Sequence, residues 1–178
     1  MEDRIGIKLS TSIESLRHLI AQLVQRGDFE LASDHGERIA HVLLDLPVSW
    51  AFSQLDMMNS IERARTVVIV QGAHSAYSDV MASYHISGVV PLDNESEIVS
   101  SIYAAAAALR TYTWQSGLTY MELRVARLLL KGFDTQAAAR ELRVSSKTIN
   151  AHVSNALTKL GHESRAQFVA ALLGQHRA

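Results

Sequence analysis

Cysteine is absent from this 178-residue chain, and aromatic residues make up only 6% of it. The lack of cysteine excludes disulfide bonds and cysteine-based zinc sites, and it is typical of an intracellular protein. No run of about eighteen apolar residues occurs, so no membrane-spanning helix is predicted. The first ten residues, MEDRIGIKLS, are acidic and lack the long apolar region of a secretory signal. We therefore expect a soluble protein of the cytoplasm that binds no membrane.

Patterns that carry catalysis or bind a metal are also missing. No nucleophile is paired with a base, and no cluster of metal ligands occurs, so we predict neither an enzyme nor a cofactor or metal site. His152 has no second ligand four residues later, where Ala156 stands. It is expected to be a packed, hydrogen-bonded residue, and the sequence predicts no catalytic residue.

The net charge of only −1 hides two halves of opposite sign. Residues 1–117 carry 8 Lys and Arg against 14 Asp and Glu, whereas residues 118–178 carry 9 against 4. A small basic module joined to an acidic body indicates that the module meets a polyanion. The stretch TYTWQSG between them reads as a short linker. We predict three parts: a domain over 1–112, a linker over 113–117 and a basic domain over 118–178.

The basic domain is predicted to contain four short helices. The first spans Thr119–Lys131, where apolar residues recur at helical spacing and Gly132 stops the helix. Asp134 or Thr135 caps a second helix, TQAAAREL, whose alanines permit close packing.

A tight turn at Arg143–Val144 leads from the second helix to the third, which Ser145 caps. Ser164 and Gln167 are spaced as a capping box that opens the fourth helix, and Gly174 ends it. A short helix, a tight turn and a second helix are typical of a helix-turn-helix.

The third helix has one apolar face and one acid-free polar face. The expected buried stripe consists of Ile149, Val153, Ala156, Leu157 and Leu160. The opposite face presents Lys147, Asn150, Ala151, Ser154 and Thr158. Small side chains let a helix lie deep in the major groove, and an amide suits adenine. The alternative is an ordinary helical bundle whose polar face is merely solvated.

The stretch from Leu118 to Leu173, LTYMELRVARLLLKGFDTQAAARELRVSSKTINAHVSNALTKLGHESRAQFVAALL, resembles the LuxR-type C-terminal helix-turn-helix. The positions in register are Leu118, Thr119, Glu122, Gly132, Ala139, Leu142, Ser145, Lys147, Thr148, Ile149, His152, Val153, Lys159, Leu160, Ser164 and Arg165. The resemblance implies that the third helix reads DNA, with base contacts at Asn150, Ala151 and Ser154. It places Lys147, Thr148 and Lys159 near phosphates. Contacts to phosphates position the protein on DNA but do not distinguish one base sequence from another. The family often has lysine where this chain has Asn150.

The acidic body alternates apolar strands and helices. Strands are predicted at Ile5–Leu9, Val42–Leu46, Thr66–Val70 and Gly88–Leu92, and their β-branched runs suit a buried parallel sheet. A further strand is considered within Phe29–Ala40. Helices are predicted at Ser12–Gln25, Ala51–Ala64, Ala73–Tyr84 and Glu95–Tyr112. The expected fold class is a doubly wound α/β receiver-like domain followed by an all-α four-helix helix-turn-helix domain.

This order resembles the receiver of response regulators in the NarL/FixJ group, the usual partner of such a helix-turn-helix. The resemblance makes Asp45, in HVLLDLP, the residual phosphoacceptor. Phosphorylation of an aspartate requires Mg²⁺ held by carboxylates. Where receivers have an acidic pair this chain has Ser10-Thr11-Ser12, and Gln71 and Leu92 replace the hydroxyl residue and the lysine. We therefore interpret this as a degenerate receiver that works without conventional phosphorylation.

The sequence thus predicts a bacterial, sequence-specific transcription regulator that binds double-stranded DNA as a dimer. The predicted dimer surface is a stripe on the last receiver helix: Ile98, Ile102, Ala105, Ala106 and Leu109. The alternative for the stripe is that all of it covers the sheet. The partner is an identical chain or a related regulator, and the sequence does not choose between them.

Three other functions stay open. The chain could bind DNA only as a heterodimer, could respond to phosphorylation of Asp45, or could sense a small molecule. The few aromatic residues and the β/α pattern argue against the sensor.

Overall fold

The computed structural model describes residues 5–12, 29–32, 39–72 and 74–173 of the chain. They divide into two compact units, which comprise residues 1–72 with 84–112, and residues 73–83 with 113–178. One division between the units falls between residues 112 and 113. The placement of residues 73–83 differs from the prediction, because this segment groups with the carboxyl-terminal unit.

The first unit contains a five-stranded parallel sheet. Its strands are β1 (Ile5–Ser10), β2 (Phe29–Leu31), β3 (Ile39–Leu44), β4 (Thr66–Val70) and β5 (Gly88–Pro91). They lie in the order β2-β1-β3-β4-β5, with every neighbouring pair parallel. This order is one of the two common doubly wound arrangements, so the predicted α/β fold class is confirmed.

Four of these strands overlap the four predicted ones, and β2 is the further strand considered near Phe29. The bounds of β3 differ from the prediction, since it starts at Ile39, which pairs with Gly6, and ends at Leu44. The chain turns away at Leu46, whose N–H donates to the carbonyl of Leu44. The predicted helix Ser12–Gln25 lies outside the described residues from position 13 onward.

The segment predicted as one helix over Ala51–Ala64 is two helices, α1 (Trp50–Met57) and α2 (Ser60–Ala64). The break comes from Asn59, whose side chain caps α2 by accepting hydrogen bonds from the N–H groups of Ile61 and Glu62. Glu62 completes a capping box by accepting from the Asn59 N–H at 2.8 Å. A local side-chain bond thus outcompetes continuation of the helix.

The helix after β5, α4 (Glu95–Ala106), ends six residues before the predicted Tyr112. Ala108 adopts a left-handed φ of 54°, and the N–H of Leu109 donates to the Ala104 carbonyl at 2.8 Å. The chain then runs back to Ser87, whose carbonyl accepts from Thr111 N–H at 2.9 Å. A Cβ on Gly88 would lie 2.6 Å from Thr111 Oγ1, so a larger residue here would force the Thr111 hydroxyl to move.

One face of the sheet is covered by α4. Ile98, Ile102 and Ala105 are 4% exposed or less, and they form one core cluster with strand residues such as Ile7 and Val42. Burial of this apolar surface is the main force that holds a helix against a sheet.

The second unit contains helix α3 (Ser75–Ala82), within the predicted range Ala73–Tyr84, and the four helices of the basic region. These four are α5 (Tyr120–Leu130), α6 (Thr135–Leu142), α7 (Ser146–Leu160) and α8 (Arg165–Leu172). Three of them begin at predicted caps, since the side chains of Asp134, Ser145 and Ser164 accept from backbone N–H groups. The first is capped in the same way by Thr119, which was predicted as its first helical residue. The predicted four-helix arrangement is therefore confirmed.

One detail at the start of the fourth helix differs from the prediction. Gln167 Oε1 accepts from the N–H of Glu163 and not from that of Ser164, so the fourth helix starts with a cap but without a complete box. The predicted last residue, Gly174, lies outside the described residues.

Candidate nucleic-acid interface

A tight turn sets the angle between α6 and α7. Arg143 ends α6 in the left-handed conformation, with φ of 55°, and the N–H of Val144 donates to the Ala139 carbonyl at 3.0 Å. Ser145 then caps α7, because its Oγ accepts from the N–H of Thr148 at 3.0 Å. The Thr148 hydroxyl lies 2.8 Å from the same Oγ. The turn is thus fixed at both ends by local hydrogen bonds.

Close packing of α6 against α7 depends on small residues. Ala138 is fully buried and Ala139 is 6% exposed. On α7, Ile149 and Ala156 are buried, whereas Val153, Leu157 and Leu160 are partly buried. The predicted apolar face of α7 therefore points inward, although only two of its five residues are fully covered.

The polar face of α7 lies at the surface of the chain. Its exposed residues are Lys147, Asn150, Ala151, Ser154 and Thr158. No acidic residue occurs anywhere in α7. An exposed helix face with one lysine, one amide and small side chains matches the donors, acceptors and steric clearance that a major groove offers.

Lys159 lies at the end of the same helix but makes an ion pair inside the domain. Its Nζ donates to Glu122 Oε2 at 2.7 Å; the lysine side chain is 37% exposed and the glutamate 3%. The same Glu122 oxygen accepts from the N–H of Thr119, also at 2.7 Å. Burial raises the pKa of the Glu122 carboxyl, but the bonds from Lys159 and Thr119 lower that pKa more, so it lies below its usual value.

Sequence reasoning missed this pair, and it also missed a second contact within the domain. Arg165 donates to the Phe133 carbonyl at 2.5 Å and to Thr135 Oγ1 at 3.2 Å. These bonds join the start of α8 to the start of α6. The partners are far apart in the sequence, so no local pattern could have found them, although burial of a glutamate requires a cationic or N–H partner.

The sheet edge at the carboxyl ends of the strands contains the predicted phosphoacceptor position. Asp45 follows β3 and is only 1% exposed. Its two carboxylate oxygens accept from the N–H of Ala51 at 2.8 Å and from that of Ser49 at 3.2 Å, at the start of α1. The carboxylate therefore serves as an internal partner for the amino-terminal end of a helix.

The other residues at this edge are those that depart from the receiver pattern. Ser10 ends β1, Gln71 follows β4, and Leu92 follows β5. Leu92 packs against the apolar core cluster, and Gln71 is exposed. The Ser12 hydroxyl donates to the Leu46 carbonyl, next to Asp45.

The stripe predicted as a dimer surface is not a surface in this chain. Ile98, Ile102, Ala105 and Ala106 are buried in the core under α4, so they cannot face a partner without opening the domain. Leu109 is different, since it lies beyond the end of α4 and is 61% exposed. The helical spacing was correct for the buried residues, but the face that they form covers the sheet.

Among the described residues, no helix combines the length and the hydrophobicity that crossing a membrane requires.

Comparison with known proteins matches both the carboxyl-terminal segment and nearly the whole chain. Residues 116–172 match the family model of bacterial regulatory proteins, luxR family. The spore germination protein GerE of Bacillus subtilis is 45% identical over 56 residues, which is 32% of this chain and 76% of that protein. The nitrate/nitrite response regulator protein NarP of Escherichia coli is 27% identical in an alignment 200 positions long, which covers 98% of this chain and 91% of that protein.

Solved structures of the regulator RcsB are similar in fold. RcsB from Salmonella enterica, bound to promoter DNA with a phosphomimetic, has a TM-score of 0.58 at 14% identity, and the match covers 95% of this chain and 98% of that one. A structure of two RcsB dimers bound to two parallel DNAs gives 0.57 with the same identity and coverage. With the capped helices, the tight turn and the GerE match, these similarities lead to one conclusion: the chain belongs to the LuxR family of bacterial regulatory proteins.

Proposed function

We propose that this protein is a sequence-specific transcription regulator that inserts α7 into the major groove of DNA. The observation that carries the proposal is the exposed, acid-free face of a helix that a tight turn and a buried apolar face hold in place. In this proposal Asn150, Ala151 and Ser154 contact base edges. Lys147 and the first turn of α7 contact phosphates, where helix amino termini favour anions.

Family resemblance also assigns Thr148 and Lys159 to phosphates, and we propose a smaller role for each because of the contacts that they make within the domain. The Thr148 hydroxyl already lies against the Ser145 cap, so it offers one hydrogen bond at most to the backbone of DNA. The charge of Lys159 is largely matched by Glu122. We infer that Lys159 acts mainly by holding α7 against α5, and that Lys147 supplies more of the salt-dependent affinity.

The receiver-like unit is proposed to work without conventional phosphorylation. Support comes from the environment of Asp45, whose buried carboxylate is already hydrogen bonded to two N–H groups of the following helix. Support comes also from Leu92, which places an apolar side chain where receivers have a lysine, and from Ser10-Thr11-Ser12, which lack the carboxylates that hold Mg²⁺. Phosphoryl transfer to Asp45 would have to break its existing bonds without that metal.

The active form is proposed to be a homodimer on two half-sites. One helix-turn-helix contacts little DNA, and two linked copies gain affinity through effective concentration. RcsB, which shares the fold, forms dimers on DNA. The other residues of the predicted stripe are buried, so Leu109, which is 61% exposed, stays a candidate contact residue. The 39% exposed Tyr103 is added to it.

Matched variants of α7 test the proposal. A duplex selected by the protein from a random pool is compared with random DNA over a range of salt. Asn150→Ala should weaken binding to the selected duplex by about 1–3 kcal/mol and relax one base position, with little effect on random DNA. Lys147→Ala should weaken both DNAs alike and reduce the salt slope by about one. Equal losses on both DNAs for Asn150→Ala would show that Asn150 does not read bases.

If the protein selects no DNA by itself and does so only when mixed with a second regulator, the heterodimer alternative takes the place of the homodimer.

A further inference from the structure

A buried aspartate in α3 holds the linker that precedes the DNA-binding helices. Asp79 is fully buried. Both of its carboxylate oxygens accept from the N–H of Gln115 at 3.0 Å. One of them also accepts from the N–H of Ser116 at 2.7 Å and from the Ser116 hydroxyl at 2.5 Å. Three donors from two consecutive residues thus converge on one side chain, which we call the Asp79 clamp.

The clamp belongs to a larger contact within the same unit. Helix α3 packs against α5, and six of its eight residues are buried. In the sequence, however, α3 stands between β4 and β5, more than thirty residues before the linker. The DNA-binding helices are therefore attached to the chain in two ways, covalently through residues 113–117 and non-covalently through α3.

The clamped arrangement leaves the DNA-binding face open. Lys147, Asn150, Ala151 and Ser154 are exposed while the Asp79 bonds are formed. The clamp is thus compatible with DNA binding and does not block it. Its physical effect is to remove rotational freedom from the linker, because a five-residue chain without fixed hydrogen bonds samples many conformations.

We propose that Asp79 is a positioning residue, which fixes the orientation of the helix-turn-helix by clamping the linker to α3. This inference rests on the proposed function as a dimer that reads two half-sites. Binding to a single half-site does not depend on this orientation, because the whole molecule can turn until α7 meets the groove. For two half-sites a fixed orientation avoids the entropy cost of ordering both domains at once.

The first experiment measures amide hydrogen exchange at Gln115 and Ser116 in the full chain, without DNA. Asp79→Ala should accelerate exchange of both amides about tenfold or more, since each N–H then loses its acceptor. Asp56→Asn is the control, because it alters a different aspartate that accepts a hydrogen bond, from the Tyr84 hydroxyl at 3.0 Å. Unchanged exchange in Asp79→Ala overturns the clamp.

Ser116→Ala provides a second variant that leaves α3 intact if Asp79→Ala does not fold. It removes the hydroxyl donor to Asp79, together with the long bond that Ser116 Oγ accepts from the Leu118 N–H at 3.4 Å, and it should accelerate exchange at both amides by a smaller factor. No acceleration in this variant, when Asp79→Ala is unfolded, also counts against the clamp.

The second experiment measures DNA affinity with two duplexes. One has the paired half-sites selected by the wild-type protein, and the other has one half-site scrambled. Asp79→Asn should lose about tenfold in affinity for the paired duplex and should match wild type on the single half-site. If amide exchange is faster in the Asp79 variants but Asp79→Asn binds both duplexes with the affinity of the wild type, the positioning role is wrong. If the wild-type protein selects no duplex from the random pool, the proposed function is disproved instead, and the exchange result still stands.

Discussion

Replacing Lys159 by methionine tests whether this residue serves the fold or the DNA. The variant keeps the length of the side chain but leaves the Glu122 carboxylate, 3% exposed, without its cationic partner. Removing one partner of a fully buried pair costs about 3–5 kcal/mol, whereas exposed pairs contribute about 0–1 kcal/mol. Lys159 is 37% exposed and the N–H of Thr119 still donates, so we expect a loss of about 2 kcal/mol.

The assay is thermal unfolding of the full chain, followed by circular dichroism, together with DNA affinity at several salt concentrations. A loss of that size should lower the melting temperature of a domain of this length by about 8–16 °C. The salt slope of DNA binding should stay the same. Lys147→Ala, an exposed lysine on the same helix, should do the reverse: no change in melting and a slope smaller by about one.

The double variant Glu122→Gln with Lys159→Met separates the cost of leaving the Glu122 charge unpaired from the other effects of replacing Lys159. Neutralising the stranded carboxylate should recover roughly 1 kcal/mol relative to Lys159→Met alone. The reasoning is refuted if Lys159→Met melts with the wild type and reduces the salt slope as Lys147→Ala does. Lys159 would then be a phosphate contact, as the family resemblance implied, and Glu122 would be stabilised by Thr119 alone.

Three further predictions concern other parts of the chain. Arg143→Gly should raise the free energy of unfolding by roughly 1 kcal/mol in denaturant titrations, because glycine adopts the left-handed conformation without a Cβ clash. A loss of stability would mean that contacts of the Arg143 side chain stabilise the fold by more than this clash costs. Burial lowers the pKa of His41; Lys8 and Arg65 lower it further, whereas Glu62 raises it. Near pH 6.5 the folded protein therefore takes up a proton at His41 less readily than the unfolded chain does. Stability should therefore be complete above that pH and fall as the pH drops below it, and His41→Gln should flatten this dependence in melts between about pH 7.5 and 5.5; identical profiles would contradict the assignment. Trp50 lies between Ser49 and Ala51, whose N–H groups donate to Asp45, so its fluorescence reports changes at this carboxylate. In a Trp114→Phe background we expect no fluorescence change on adding Mg²⁺ and a small phosphodonor, because Asp45 is proposed not to be phosphorylated. A saturable change that Asp45→Ala abolishes would restore the phosphorylation-dependent alternative.

The helix-turn-helix could be predicted almost completely from the sequence because its signals are local. Thr119, Asp134 and Ser145 each cap the helix that follows within three residues, and the turn residues stand beside them. The strands were predictable for a similar reason, since runs such as TVVIV are buried on both faces of a parallel sheet.

What could not be predicted depends on contacts between distant residues. Glu122 and Lys159 are 37 positions apart, and Asp79 and Gln115 are 36 apart, so neither pairing has a local signature. The stripe on α4 failed for another reason. Apolar residues at helical spacing show that a face is buried, but the spacing is the same whether that face covers a sheet or a second chain.

The Asp45 contact has a consequence for how this protein can be controlled. The anion at the start of α1 is part of the chain, so it is present in every copy from the moment of folding. If the receiver-like unit works without phosphorylation, as we propose, the output of this regulator follows the number of molecules in the cell. For a dimer formed from mostly monomeric protein, doubling the copy number raises the dimer concentration about fourfold by mass action. Synthesis and degradation would then set the response, and pairing would sharpen it.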